Sequence, residues 1–410
     1  MSRKLAFIFD HQKCIVCNAC VDACNKAYGN LNWRKLPILV TDNYKTALSI
    51  SCNHCENPLC MKVCPASAYE LDQEFGILRI NPNKCIGCRY CQWACPYEAP
   101  TINEVGIMTK CHFCYDRIKS NKGLPYCVEA CPTGALSFGW LEENIAVDVN
   151  YLAPKEITKP RLLVKSSELV KGQFKTLKQV EERNYIGLLL YTILIEISLG
   201  FLIFNIPHYN IFIIIFLFLG FIPSIFHVTR RERLFRVIFN LKSSWLSREV
   251  ATGALALLLF LINLILPSTL ILASIFLLLS FISSLMIYLV KTRPSWYNID
   301  TPISFIGSIF TISGPLSYYL NQNFLAIILA IMFLSLEIFS AYYKSKKYLI
   351  YRNDFKVRTY FNISAIIFNL ISLPIVPYLS IISILISLIS EIYYRRIFFK
   401  KILTYALPYI

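Results

Sequence analysis

Beyond Cys131 this 410-residue chain contains no cysteine, and beyond residue 185 it is poor in acids, with 7 against 18 basic residues. The first absence confines thiol chemistry to the N-terminal part. Histidine is scarce as well: of five, only His208 and His227 follow residue 185. A bis-histidine haem needs two histidines at similar depth, and these flank one apolar run at its opposite ends, so no haem is expected. No apolar stretch near the start is long enough for a cleaved signal, since Leu5 to Phe9 is the only run there. That argues against a secreted disulfide framework. No basic patch interleaved with aromatics occurs in a polar segment, which argues against nucleic-acid binding. The net charge of +16 is therefore first a signal of membrane orientation.

All sixteen cysteines fall into four groups of four. Cys85, Cys88, Cys91 and Cys95, followed by Pro96, read C-x2-C-x2-C-x3-C-P, the bacterial ferredoxin run in which the fourth thiolate reaches a second cluster. Cys14, Cys17, Cys20 and Cys24 repeat it without the proline. Cys52, Cys55, Cys60 and Cys64 lengthen the second gap, and Cys111, Cys114, Cys127 and Cys131 open it further. Zinc sites use paired C-x2-C units, and a third cysteine three residues on is foreign to them. The count points to four 4Fe-4S clusters.

Composition divides the chain into a cluster domain over 1–140, a charged strap or linker over 141–185 with no clear period, and an apolar region over 186–402. A helix needs about 20 apolar residues to cross a bilayer. Eight such runs are expected, near 186–206, 210–228, 250–266, 269–290, 302–320, 324–343, 360–378 and 380–398. The predicted architecture is an α+β, double-ferredoxin-like iron-sulfur domain followed by an all-α membrane bundle of about eight helices. Lys and Arg concentrate in 229–249, 344–358 and 395–401, on the side of the N-terminal domain if eight helices span. The positive-inside rule then favours a cytoplasmic cluster domain. Export of a loaded complex, with the cluster domain on the outer face, is the alternative.

A membrane half without redox metal calls for a lipid-soluble electron donor or acceptor, hence quinol or quinone. His227 closes the second run; Arg230, Arg231, Arg233 and Arg236 follow, and Trp245 and Glu249 open the third. A histidine and a carboxylate near a quinol headgroup can accept its protons. His227 as an interface anchor, Glu249 as a first-turn acid and Trp245 as part of an aromatic belt are the plainer readings. Glu196, Glu337 and Glu391 lie inside expected spans, where ionisable groups are costly. Glu196 and Glu337 suggest a proton route or structural bonds, whereas Glu391 has Arg395 placed to pair with it four residues on.

The stretches Ser49 to Glu56, Cys85 to Cys91, Ala94 to Tyr97, Met108 to Cys111 and Cys114 to Arg117 closely resemble the four-cluster subunit of the dimethyl sulfoxide reductase family. So do Ala153-Pro154 and Thr158 to Pro160. His227, Ser244 to Glu249, Thr292 to Tyr297, Thr301-Pro302, Gly314-Pro315 and Glu391 to Arg395 resemble the same family's haem-free membrane anchor. The resemblance implies a fusion of two subunits that are usually separate, with His227 and Glu249 in menaquinol binding and oxidation. It also implies a pairing of thiols. Cys14, Cys17 and Cys20 would join Cys131; Cys24 would join Cys111, Cys114 and Cys127; Cys95 would join Cys52, Cys55 and Cys60; and Cys64 would join Cys85, Cys88 and Cys91. Spacing alone requires an exchange but not this one. Val228 and Thr229 depart from the family's turn after the histidine, and the inward orientation departs from its best-known member.

The expected function is electron transfer and menaquinol oxidation, with His227 and Glu249 accepting protons and Arg231 and Trp245 helping to bind quinol. The clusters would serve a separate molybdopterin catalytic subunit reducing dimethyl sulfoxide or a sulfur compound. A quinone-reducing module of a formate- or hydrogen-oxidising complex, or a redox-linked ion-translocating protein, remains open.

Overall fold

The computed structural model describes residues 4–40, 45–141, 152–165, 178–182, 185–373 and 377–405. Its N-terminal part is a ferredoxin-like iron-sulfur domain. Strand β1 (Lys4–Asp10) buries Leu5, Phe7 and Phe9. It pairs antiparallel with β8 (Leu136–Leu141), Phe7 opposite Phe138, and parallel with β9 (Leu162–Lys165), Phe7 opposite Leu162. Three antiparallel pairs fill the space between: β2 (Ile38–Val40) with β3 (Lys45–Ala47), β4 (Tyr69–Leu71) with β5 (Leu78–Ile80), and β6 (Thr101–Ile102) with β7 (Met108–Thr109). Short helices follow the cysteine loops: α1 (Ala19–Tyr28), α2 (Leu59–Lys62), α3 (Tyr90–Ala94), α4 (Tyr115–Lys119) and α5 (Tyr126–Glu129).

The tract expected to be only a strap contributes structure at its described positions. Helix α6 (Lys155–Thr158) and β9 complete the first domain, and β10 (Lys178–Val180) pairs with β11 (Ile402–Thr404) after the last helix. Pieces of three or four residues are too short to show a period, which is why the sequence reads as irregular there.

Eight long helices follow among the described residues: α7 (Ile186–Ile203), α8 (Tyr209–Ile225), α9 (Trp245–Asn263), α10 (Leu270–Tyr288), α11 (Asp300–Asn321), α12 (Phe324–Lys347), α13 (Arg352–Ser372) and α14 (Leu379–Lys400). Successive helices pair as hairpins, and α11 packs on both α7 and α14. Gly200 permits the approach of α7 to α11, since a side chain there would collide with Ser313 and the Ile309 carbonyl. Among the described residues five segments are long and apolar enough to cross a membrane: Ile186–Ile203, Trp245–Asn263, Pro267–Tyr288, Asp300–Asn321 and Phe324–Lys347. Tyr209–Ile225 is apolar but shorter, and α13 and α14 carry several charges. Outward-facing Phe218, Leu258, Ile271 and Leu325 are exposed, the surface expected of a bundle bathed in lipid.

Two helices begin earlier than the apolar runs alone suggest. Ser244 caps α9, its side chain accepting from the Ser247 amide at 3.4 Å, so the polar turn of Ser247 to Glu249 is already helical. The charged turn at the start of α13 likewise precedes its apolar part. Periodicity marks where a helix is buried, and the cap marks where it starts.

Candidate functional site

Each cysteine loop turns through left-handed backbone. Val16 and Asn18, His54, Gly87 and Arg89, and Phe113 and Cys114 all have positive φ. A non-glycine residue there costs about 1–3 kcal/mol and persists where its surroundings impose it. Strain of this kind in all four loops is an arrangement built for the thiols.

The loops bring the sixteen cysteines into four sets. One cavity is lined by Cys52, Cys55, Cys60 and Cys95, a second by Cys24, Cys111, Cys114 and Cys127, and a third by Cys14, Cys17, Cys20 and Cys131. The fourth set is Cys64, Cys85, Cys88 and Cys91, whose sulfurs lie within electrostatic reach of one another. These are the groupings that the resemblance implies. Among the described residues none form a site for a single metal ion.

The thiols fit iron-sulfur clusters chemically. Burial, with help from neighbouring Cys127, pushes Cys24 up to about 11, and burial also pushes Cys95 up to about 11. Sulfurs gathered in this way repel one another as thiolates until metal binds them. Buried cations offset that charge. Arg34 donates to the hydroxyls of Ser49 (2.9 Å) and Ser51 (3.0 Å) and faces Cys127, Cys111, Cys20 and Cys24. Burial opposes its charge, but these sulfurs raise its pKa overall. Lys110 donates to the carbonyls of Leu78 and Cys111. His54 accepts from the Leu78 amide at 2.9 Å and faces the Cys111 carbonyl at 3.1 Å. Burial, then the charge of Lys110, holds its pKa well below the ordinary histidine value.

The four sets form a row. Cys20 lies near Cys127, Cys111 near Cys52, and Cys91 near Cys60. At one end Cys17 is exposed, beside Ile15 at 64% exposure. At the other, the set of Cys64, Cys85, Cys88 and Cys91 is seated on the bundle.

That seat is made by backbone carbonyls of the cysteine loops. His227 Nε2 faces the Cys88 carbonyl at 3.1 Å, and Thr229 donates to the Gly106 carbonyl. Arg233 reaches the Cys85 carbonyl at 3.3 Å, and Asn240 donates to the Cys64 carbonyl at 2.9 Å. Ser244 donates to the Val63 carbonyl at 2.8 Å, while Thr292 and Arg293 donate to the Trp93 carbonyl at 2.9 and 3.1 Å. Gly87 has φ +69°, and a side chain there would collide with Thr229. Glycine is required at this point by both conformation and contact.

Trp93 extends from this set into the bundle. Its ring lies 5.8 Å from His227, 6.2 Å from Tyr288 and 5.2 Å from Trp296, and its Nε1 donates to Glu182 at 2.8 Å. Glu249, buried in the second turn of α9, one turn further in than a first-turn acid because the helix already starts at Trp245, stands within electrostatic reach of Tyr90, Tyr191 and Tyr288, with Ser284 beside its carboxyl. His227 and Glu249 thus border one aromatic group. Arg231 is exposed, 4.4 Å over the Phe226 ring, and Trp245 carries Arg248 at 4.2 Å. Sequence reasoning missed Trp93, Tyr90, Tyr288 and Arg34. Trp93 and Tyr90 sit inside the cysteine run, but nothing in its spacing marks them. His208 and His227 flank α8, roughly 28 Å apart at helical rise.

Fold and sites define a membrane-anchored iron-sulfur electron-transfer protein. The family described as 4Fe-4S dicluster domain matches residues 44–141, and that described as DMSO reductase anchor subunit (DmsC) matches residues 203–366. The sequence is 39% identical over 186 residues to the B subunit of anaerobic dimethyl sulfoxide reductase from Escherichia coli, covering 40% of this protein and 90% of that one. It is 38% identical over 185 residues to the corresponding subunit from Haemophilus influenzae, covering 40% and 89%. Against the thiosulfate reductase electron transfer subunit PhsB of Salmonella typhi it is 35% identical over 154 residues, covering 35% and 80%. This protein belongs to the family of the dimethyl sulfoxide reductase B subunit and carries a DmsC-type anchor in the same polypeptide.

Proposed function

We propose that the protein oxidises menaquinol beside His227 and Glu249 and delivers the electrons to a separate molybdopterin catalytic subunit. The observation that carries this reading is the 3.1 Å contact of His227 Nε2 with the Cys88 carbonyl, which joins the candidate proton acceptor to a cluster loop. The proposed division is 1–140 for four 4Fe-4S clusters, 141–185 for a strap whose α6 and β9 pack back onto that domain, and 186–402 for the quinol-binding anchor of eight spans. When bound, the clusters accept and pass on single electrons.

The residues divide the remaining work. Cys64, Cys85, Cys88 and Cys91 would hold the cluster at the bundle, and Cys52, Cys55, Cys60 and Cys95 the next. Cys24, Cys111, Cys114 and Cys127 would hold the third, and Cys14, Cys17, Cys20 and Cys131 the outermost. His227 and Glu249 accept the two protons that quinol releases. Trp93, Tyr90 and Tyr288 exclude water and give the headgroup aromatic surface. Exposed Ile15 beside Cys17 suits docking of the catalytic subunit at the outermost set. The basic loops at the cluster-domain end favour a cytoplasmic face.

Iron in the purified full-length protein should approach about 16 atoms per molecule, four cubanes of four irons. Menaquinol should bleach the cluster absorbance, and a molybdopterin protein should copurify. Clusters that dithionite reduces but menaquinol leaves oxidised would contradict the reading.

A further inference from the structure

Away from the thiol sets, four carboxyls and three cations among the described residues are buried between α7, α11, α12, α13 and α14. Arg395 Nη2 holds both oxygens of Glu196 at 2.6 and 2.8 Å, and its Nε holds Glu391 at 2.6 Å. Arg358 lies 3.0 Å from Glu337, 3.7 Å from Glu391 and 3.4 Å from Asp300. Lys344 and the Tyr394 hydroxyl donate to Asp300 at 3.0 and 2.9 Å. Carboxyls therefore outnumber cations by one within this network. An uncompensated charge at such depth is costly, so one carboxyl keeps a proton. Glu337 is the one placed to do so. Its Oε2 has Arg358 and Asn362, while its Oε1 has no hydrogen-bond partner among the described residues and faces Gly307.

The network opens toward both ends of the bundle. At the cluster-domain end, a cavity lined by Asp300, Lys344, Tyr351, half-buried Asp354, Arg358 and Tyr394 reaches it. Toward the other end, Ser390 donates to Asn362 at 2.7 Å and Ser383 to the Ala365 carbonyl at 3.2 Å. This antiparallel register sets Asn369 level with Ser380 and Ser383, all buried. Neither side-chain polar atom of Asn369 nor the Ser387 hydroxyl has a partner among the described residues. The Tyr318 hydroxyl closes the column, donating to the carbonyls of Ser372 and Leu373 at 3.3 and 3.1 Å. Buried polar atoms without protein partners are where ordered water sits, and water linking a protonated carboxyl to amides and hydroxyls can relay a proton.

We infer that α11–α14 form a proton path across the bundle, entered at the Asp354 cavity, in which Glu337 holds and releases the proton and Asn369 with its neighbouring serines carries it onward. The path is distinct from His227 and Glu249, although Tyr288 lies within electrostatic reach of both Glu249 and Arg395. Coupling to quinol turnover rests on the function proposed above; passage of the proton does not.

The test is pH-sensitive dye trapped in liposomes carrying the full-length protein, read under an imposed potassium-valinomycin potential and again during menaquinol addition, with cluster absorbance followed in parallel. Proton entry above the leak of protein-free liposomes in either condition, reduced roughly tenfold in Glu337→Gln and similarly in Asn369→Leu, is the expected result. Glu337→Gln keeps the shape of the protonated acid, and Asn369→Leu removes no charge, so at least one variant should fold with its full iron content. No entry beyond the leak in both conditions, or entry unchanged in the folded variants, overturns the path. Entry without menaquinol reduction of the clusters would keep the path and sink the quinol assignment; cluster reduction without proton entry would do the reverse.

Discussion

The cluster domain and the bundle both bury positive charge, and they partner it differently. Arg34 and Lys110 donate to hydroxyls and carbonyls, so their charge remains to act on the sulfurs around them. Arg358, Arg395 and Lys344 are locked onto carboxylates, so their charge is cancelled nearby. The first arrangement tunes groups that change by one electron. The second suits groups that hold or shed one proton.

Removing metal should separate the two regions most sharply. Binding of structural metal by thiolates contributes on the order of 10 kcal/mol to folding, and the first domain gathers its thiols into four sets set among its buried apolar residues. Chelation should therefore expose residues 1–140 to protease while the helical circular dichroism of the bundle persists. Next in size, Arg395→Met leaves Glu196 buried without its cation, which costs about 3–5 kcal/mol. Thermal unfolding of the full-length protein in detergent should fall accordingly, and adding Glu196→Gln should recover much of the loss. Arg34→Met should make the clusters beside it harder to reduce, because a nearby positive charge favours the added electron. The shift should be negative and on the order of tens of millivolts in a redox titration. Smallest of all, Lys4 and Glu56 meet at 2.6 Å on the surface with about a third of each side chain exposed. Lys4→Ala should cost less than about 1 kcal/mol.

What could be read from residues alone follows from how local each signal is. Cysteine spacing is local, so the thiol groups and the ferredoxin-like domain were legible, and long apolar runs located the helices. Helix starts were not, because Ser244 and the charged turn at Arg352 to Arg358 continue the helix beyond its apolar face. The short strands β9 and β10 had no period to display. His227 and Glu249 could be named as types near a helix end. That both border Trp93, Tyr90 and Tyr288 depends on the α3 loop docking between α8 and α9, a long-range contact with no sequence marker. Glu391 with Arg395 was legible as an i, i+4 pair, whereas Glu196 with Arg395 joins two helices almost two hundred residues apart.

The central claim is that electrons enter at the cluster loop touching His227. Menaquinol mixed anaerobically with the full-length protein in vesicles, with the clusters followed by absorbance and by electron paramagnetic resonance, tests it directly. His227→Ala should retain its iron and its dithionite-reduced spectrum while menaquinol-driven reduction slows by about 10²-fold or more, the usual scale for losing a proton acceptor. Reduction at the unaltered rate in that variant would contradict the account.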